Sequence, residues 1–365
     1  MKILLMGFTK LKYMPYMNFY LDQIDAAKND VHVLYWNRDE KDEARSSSSL
    51  KYHEFLCLQE DDVAKLKKVG SFLKYRKYAL GVLRKEKFDF IFVLHSIPGV
   101  LITSYLVNQY ENRFIFDYRD YTYEGFALFR NCVHKLVNSS FATFVSSDAF
   151  RKALPDTKKI YTSHNLLEDS LTYRNRNPVD KKEPVRIAYW GIIRHEELNK
   201  RIISSFANDQ RFELHYYGRE QAVALNLKLY AAEIGANNVF FHGEYKPEDR
   251  YDFSRQTDII HNMFSNTEQP HMSLAMGNKY YDGLIFYLPQ ICTTGSFMGD
   301  TVKKANVGLA CDPFQDDFAD IVWDYYQRFD INAFYKNCDD ELDRVLKEYK
   351  EGITTIIRAI EVNRM

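Results

Sequence analysis

EDSLTYRNRNPVDKKEP, Glu168 to Pro184, runs directly into VRIAYWG, Val185 to Gly191. The first stretch is polar, holds two prolines and has almost no apolar spacing, so it reads as a linker. The second is a strand that stops at a glycine. Working outward, KILLMGF, VHVLYW, FDFIFVLHS, NRFIFDYR and FATFVSS precede the linker. FELHYYG, NVFFHGEY, DIIHNMF, LPQICT and VGLAC follow VRIAYWG. Runs that are apolar on both faces suit parallel sheets covered by helices. PYMNFYLDQIDAAKN and the stretch from Pro98 to Tyr110 have helical length and periodicity. The expected fold class is α/β, with two Rossmann-like domains facing across a cleft. The boundaries read as 1-170 for the first domain, 171-184 for the linker, 185-338 for the second domain and 339-365 for a helical tail. Leu342, Leu346, Tyr349 and Ile353 lie on one side of that tail, which forms one helix or two.

Length and charge agree. A chain of 365 residues carries a prior of two domains or more. With 50 acidic and 49 basic side chains the net charge is -1, which excludes a generally basic nucleic-acid binder. Five cysteines without paired spacing argue against a disulfide framework or a zinc knot and for a reducing, cytoplasmic setting. No run reaches the length of a membrane span. One stretch breaks the balance: Val63 to Lys87 has nine Lys or Arg against one Glu, interspersed with Phe72, Leu73, Tyr75 and Tyr78. It fits a helix lying on an anionic membrane surface, and equally a solvated helix whose apolar side covers the sheet.

Ligands in open α/β sheets gather at the carboxyl ends of the strands. No P-loop, GxGxxG, HExxH or GxSxG pattern is present, which disfavours classical NAD binding and metal catalysis. Gly191 and Gly218 end two strands of the second domain and permit close approach of a phosphate, to which Arg194 can offer a fork of donors. In NKYYDGLIFYLPQICTTGS, Asn278 to Ser296, Lys279 and Asp282 share one helix face, and Asp282 is placed to accept two hydrogen bonds from a ribose diol. In the first domain, His95 and the group Asp117, Arg119, Asp120 end strands. His95 suits proton traffic from a hydroxyl, or a plain capping role. The three charges suit an acceptor ligand or a buried ion pair.

These residues carry a resemblance. KYYDGLIFYLPQI, Lys279 to Ile291, is similar to the KLYEYLAxGxPVI stretch of GT-B fold glycosyltransferases, in the GT4-like group of bacterial capsular, exopolysaccharide and lipopolysaccharide enzymes. Asp282 stands at the ribose-binding glutamate, and Tyr287 replaces the glycine before the proline. FIFDYRD, TFVSSDAFRKAL, YTSHNLLED, NVFFHGEY with TDIIHNMF, and KKANVGLAC resemble further landmarks in the same order over nearly the whole chain.

The resemblance implies transfer of a sugar from a nucleotide-diphosphate sugar to a saccharide or polyprenyl-linked saccharide, with retention and without metal or other cofactor. It implies that Arg194 grips the diphosphate, that Glu268 touches the donor sugar, and that the final helix packs back on the first domain. It is compatible with a peripheral location on the inner face of the plasma membrane. A nucleotide-sugar 2-epimerase of the same fold, or a non-catalytic scaffold in polysaccharide assembly, are the alternatives.

Overall fold

The computed structural model describes residues 1–45, 47, 49–59, 68–166, 168–174, 183–265, 273–328 and 330–364. Packing divides the chain into two compact units: Met1–His164 with Lys347–Met365, and Asn165–Leu346.

The first unit holds a seven-stranded parallel sheet of β1 (Lys2–Met6), β2 (Asp30–Asn37), β3 (Lys51–Leu56), β4 (Phe90–Leu94), β5 (Phe114–Tyr118), β6 (Ala142–Val145) and β7 (Ile160–Thr162), in the order β3-β2-β1-β4-β5-β6-β7. The central strands β4, β5 and β6 are buried along their whole length, because helices cover both faces. The sequence pattern missed β3 and β7. β3 is an edge strand whose KYHEFL is mostly half-exposed, so it lacks an apolar run, and β7 is only three residues long.

The second unit repeats the plan with β8 (Val185–Trp190), β9 (Phe212–Tyr217), β10 (Val239–Gly243), β11 (Ile259–His261), β12 (Gln290–Thr293) and β13 (Gly308–Cys311), ordered β10-β9-β8-β11-β12-β13. In both sheets the first strand of the unit sits beside the fourth, the order reversal that opens a ligand crevice in doubly wound sheets.

Helices differ from expectation in two places. PYMNFYLDQIDAAKN makes short 3-10 turns and a four-residue helix, Asn18–Leu21, rather than one helix. The stretch from Pro98 to Tyr110 falls in two pieces, Ser96–Leu101 and Thr103–Gln109. The tail is one helix, as one of the two expected forms had it, but its 32 residues, Ile331–Val362, begin ahead of the expected 339. Its Phe334, Cys338, Leu342 and Val345 join a core cluster of the second unit, and its Tyr349, Ile356, Ala359 and Ile360 join the main cluster of the first.

Of the expected linker, residues 175–182 lie outside the described residues. Glu168–Tyr173 forms a 3-10 turn in the second unit, where the Tyr173 ring stacks on Tyr251. The basic stretch forms the helix Val69–Glu86, and residues 63–67 lie outside the described residues.

Candidate functional site

The carboxyl end of β8 builds one wall of a cavity of about 440 Å³ within the second unit. Gly191 turns the chain there at φ +120°, a region L side chains rarely enter. Gly218 stands behind it: a Cβ at that position would lie 2.2 Å from the Gly191 carbonyl oxygen. Gly218 thus lets the ends of β8 and β9 close together, and it does not line the cavity as the sequence suggested.

Beyond the turn, Asn199 of the helix Glu196–Phe206 reaches back. Its Nδ2 donates to the carbonyls of Arg194 at 2.6 Å and His195 at 3.1 Å. Its Oδ1 accepts from the Tyr216 hydroxyl at 3.1 Å and from His261 Nε2 at 2.9 Å. One buried amide therefore fixes the backbone that presents Arg194, whose side chain is exposed on the cavity rim.

The opposite wall is the helix Asn278–Ile285, opened by Gly277. Its first turn faces the cavity with Asn278 and Lys279, and Asp282 follows one turn on the same face. Lys279 is 8% exposed, and its ammonium lies 4.1 Å from the Tyr189 ring centroid and 5.4 Å from that of Phe264. Among the described residues no carboxylate pairs with it. Burial pushes its pKa down to about 8, against the pull of Asp282.

The same cationic crowding acts on two histidines. Burial, with Arg194 and Lys279 adding, lowers His195 to about 4, and burial with Lys279 and His195 lowers His261 to about 3. Both are neutral near pH 7. Asp282 is held by Arg250 Nη1 and by the Trp190 indole N–H, and burial raises its pKa against the Arg250 charge.

Gly191, Arg194, Lys279 and Asp282, picked from sequence, thus meet at one cavity. Trp190, Tyr245, Arg250 and Phe264 complete its wall and were missed. Trp190 carried a signal as the last residue of a strand ending in glycine, whereas Arg250 carried none. Glu268 lies outside the described residues.

In the first unit the four chosen residues also meet. His95 follows β4 at φ +103°, and its backbone N–H donates to the Asp117 carbonyl at 2.9 Å. Its Nδ1 accepts from the Ile97 N–H at 3.2 Å, so the ring proton sits on Nε2, 3.2 Å from Asp120 Oδ2. Asp117, fully buried, accepts from Arg119 Nη1 at 2.9 Å, and the Arg119 guanidinium lies 4.0 Å above the Tyr16 ring. Burial raises the Asp117 pKa while Arg119 pulls it down. The ion-pair reading of this turn therefore holds for Asp117 and Arg119. Asp120 is 65% exposed.

No protein-family model matches the sequence, and no curated protein matches it. Solved structures do. Sucrose-phosphate synthase from Thermosynechococcus elongatus superimposes with a TM-score of 0.69 at 13% identity, over 100% of this chain and 98% of that one. HepE of Anabaena in complex with UDP gives 0.66 at 13%, over 98% and 99%. The lipopolysaccharide outer core galactosyltransferase WaaB gives 0.65 at 11%, over 99% of both chains. With two six- and seven-stranded parallel sheets in the doubly wound order, the fold of this chain is that of the GT-B glycosyltransferases.

Proposed function

We propose that the chain is a glycosyltransferase that moves a sugar from a nucleotide-diphosphate sugar to a saccharide or polyprenyl-linked saccharide. The observation that carries this reading is Lys279, a buried ammonium in a cavity wall with no carboxylate paired to it among the described residues. Keeping such a charge buried is costly unless an anion answers it. Arg194 on the rim and the first turn of Asn278–Ile285 add positive potential to the same cavity. The Anabaena structure, similar over nearly its whole length, is a complex with UDP.

In the reaction the bond from the anomeric carbon to the diphosphate oxygen breaks and the acceptor hydroxyl oxygen bonds to that carbon. The hydroxyl proton passes to a base. Charge grows on the leaving diphosphate, and Arg194 with Lys279 are the groups assigned to stabilise it, without a divalent metal. Asp282 is assigned to the ribose. His95 and Asp120 are assigned to the acceptor side, where Asp120 accepts a hydrogen bond from His95 Nε2–H, and the buried Asp117–Arg119 pair supports the turn that carries Asp120. Retention at the anomeric carbon follows the resembled enzymes.

A membrane-bound acceptor agrees with the helix Val69–Glu86. It buries Tyr75, Ala79, Leu80, Val82 and Leu83 and leaves Leu73, Lys74, Arg76, Lys77, Arg84 and Lys85 exposed. No helix among the described residues is long and apolar enough to cross a membrane. Each exposed cation near an anionic surface contributes about 1 kcal/mol.

The test is a turnover screen with a panel of nucleotide sugars and a lipid-linked acceptor extract, repeated in excess chelator and with Arg194→Ala. Transfer is expected to survive the chelator. The variant should lose about 2–4 kcal/mol of transition-state stabilisation, as when an oxyanion donor is removed. Release of an epimerised nucleotide sugar without acceptor would replace the reading by an epimerase, and failure to bind any nucleoside diphosphate would leave a scaffold.

A further inference from the structure

A second cavity, of about 570 Å³, lies within the first unit at the amino ends of β5, β6 and β7. Arg113 directly precedes β5, Phe141 precedes β6, and Lys158 with Lys159 precede β7. Arg358, near the end of the long C-terminal helix, closes the groove from the side. The strands are short, so this groove sits about 15 Å along the sheet from the carboxyl ends that carry His95 and Asp117.

Its charge is one-sided. Four cations line it and, among the described residues, no carboxylate does. Among the described residues none of the four is paired with an acid. Lys159 donates instead to Asn112 Oδ1 at 3.2 Å and to the carbonyls of Asn138 and Ser140 at 3.2 and 3.0 Å. Arg113 donates to the Gln109 carbonyl and lies 5.0 Å over the Tyr110 ring. The Arg358 guanidinium lies 5.6 Å over the Phe141 ring. These contacts hold Lys159, Arg113 and Arg358 in place without neutralising them, so their mutual repulsion persists until an anion enters. The floor of half-buried Phe141 and Tyr161 rings adds a surface for the apolar or ring portion of such a ligand.

We propose that this groove binds a phosphate group, carried either on a free phosphorylated metabolite or on the headgroup of an anionic lipid. Forked guanidinium donors from Arg113 and Arg358 match phosphate oxygens, and Lys158 adds a mobile point charge. The site is independent of the donor cavity, so it does not rest on the glycosyltransferase reading.

The experiment uses the full chain and the variant Lys158→Glu/Arg358→Glu. Both positions are exposed, so the reversal leaves the fold intact, which a thermal melt checks. One arm titrates inorganic pyrophosphate in an Arg194→Ala background that weakens the donor cavity. The other sediments the chain with phosphatidylglycerol or phosphatidylcholine vesicles. Hydrogen exchange on the unmodified chain locates any protection.

The expected result is protection of segments 156–163 and 356–364 by pyrophosphate or by phosphatidylglycerol. Charge reversal should weaken the binding by about tenfold or more, the scale of a lost charged hydrogen bond. Response to pyrophosphate assigns a free phosphate, and response to phosphatidylglycerol vesicles alone assigns a lipid headgroup. Unchanged binding in the double variant, protection elsewhere only, or no binding in either arm overturns the proposal.

Discussion

Arg250 grips Asp282 with a single nitrogen: Nη1 lies 2.9 Å from Oδ1 and 3.1 Å from Oδ2, and the Trp190 indole N–H adds a third bond to Oδ2 at 2.8 Å. A carboxylate offers about four acceptor positions. Three are therefore committed within the protein, and one is left for a ligand hydroxyl where the sequence suggested two. Asp282 is as much the counter-charge of a buried arginine as a ligand contact.

Asp282→Asn should accordingly be a stability variant as well as a binding one. It leaves Arg250 buried without its partner, and breaking a buried pair costs about 3–5 kcal/mol. The expected reading is a lower urea midpoint at unchanged slope. A wild-type midpoint would show that the pair does not hold this wall.

Lys279 predicts a pH dependence. Its folded pKa of about 8 lies below the ordinary 10.5, so between these values the unfolded chain binds more protons than the folded one. Stability without ligand should therefore rise as pH climbs through this window. Binding of a diphosphate should weaken over the same window, because the ammonium is lost. Lys279→Met should remove both trends and weaken binding at pH 7 by about tenfold or more. Calorimetric titrations at pH 7 and pH 9.5 check the binding, and melts check the stability.

His195 works in the opposite range of pH. Its folded pKa of about 4 lies below the ordinary 6.5, so its contribution is fully present above pH 6.5 and lost as pH falls through about 4. His195→Asn tolerates the left-handed backbone at φ +58° and removes the titration, so it should flatten the acid limb of the stability profile. An acid limb identical to wild type would contradict this.

Gly218→Ala tests the strand-end contact. The added methyl would stand 2.2 Å from a backbone oxygen that has no flexible end to move aside. A cost of about 1–3 kcal/mol is expected, with weakened donor binding as the Gly191 turn shifts. A melt together with a nucleotide titration separates the two effects.

Much of this was legible in the sequence. All six strands of the second unit announced themselves as apolar runs ending in small or polar residues: β8, β11 and β12 because they are buried almost throughout, and the half-exposed edge strand β10 because its VFF run is apolar even where it meets solvent. β3 did not, since an edge strand such as KYHEFL has solvent along one side and no need of an apolar run. Gly191, Arg194, Lys279 and Asp282 were found because they sit on strand ends and one helix face, where local spacing predicts direction. Arg250, Tyr245 and Phe264 reach the cavity from other loops and elements, so only the tertiary fold brings them together. Tyr287, at the position of the glycine in the resembled motif, has a left-handed backbone at φ +54°, a region glycine enters at no steric cost. Its hydroxyl donates to Asp339 at 2.6 Å, an anchoring contact that a motif comparison cannot display.

The long helix Ile331–Val362 also sets an order of events during synthesis. Residues up to His164 leave the ribosome first, yet the core they build is completed by Tyr349, Ile356, Ala359 and Ile360. Between His164 and Lys347 the second unit's 182 residues (346 − 164) must be translated, a delay of roughly 10–40 s at bacterial to eukaryotic elongation rates. During that interval the nascent first unit holds an open apolar seam beside Phe19 and Phe144, rings that later pack near Tyr349. Its maturation therefore waits for the second unit even though its sheet is encoded first, and ribosome-bound chains stalled before residue 347 should be the species that chaperones capture.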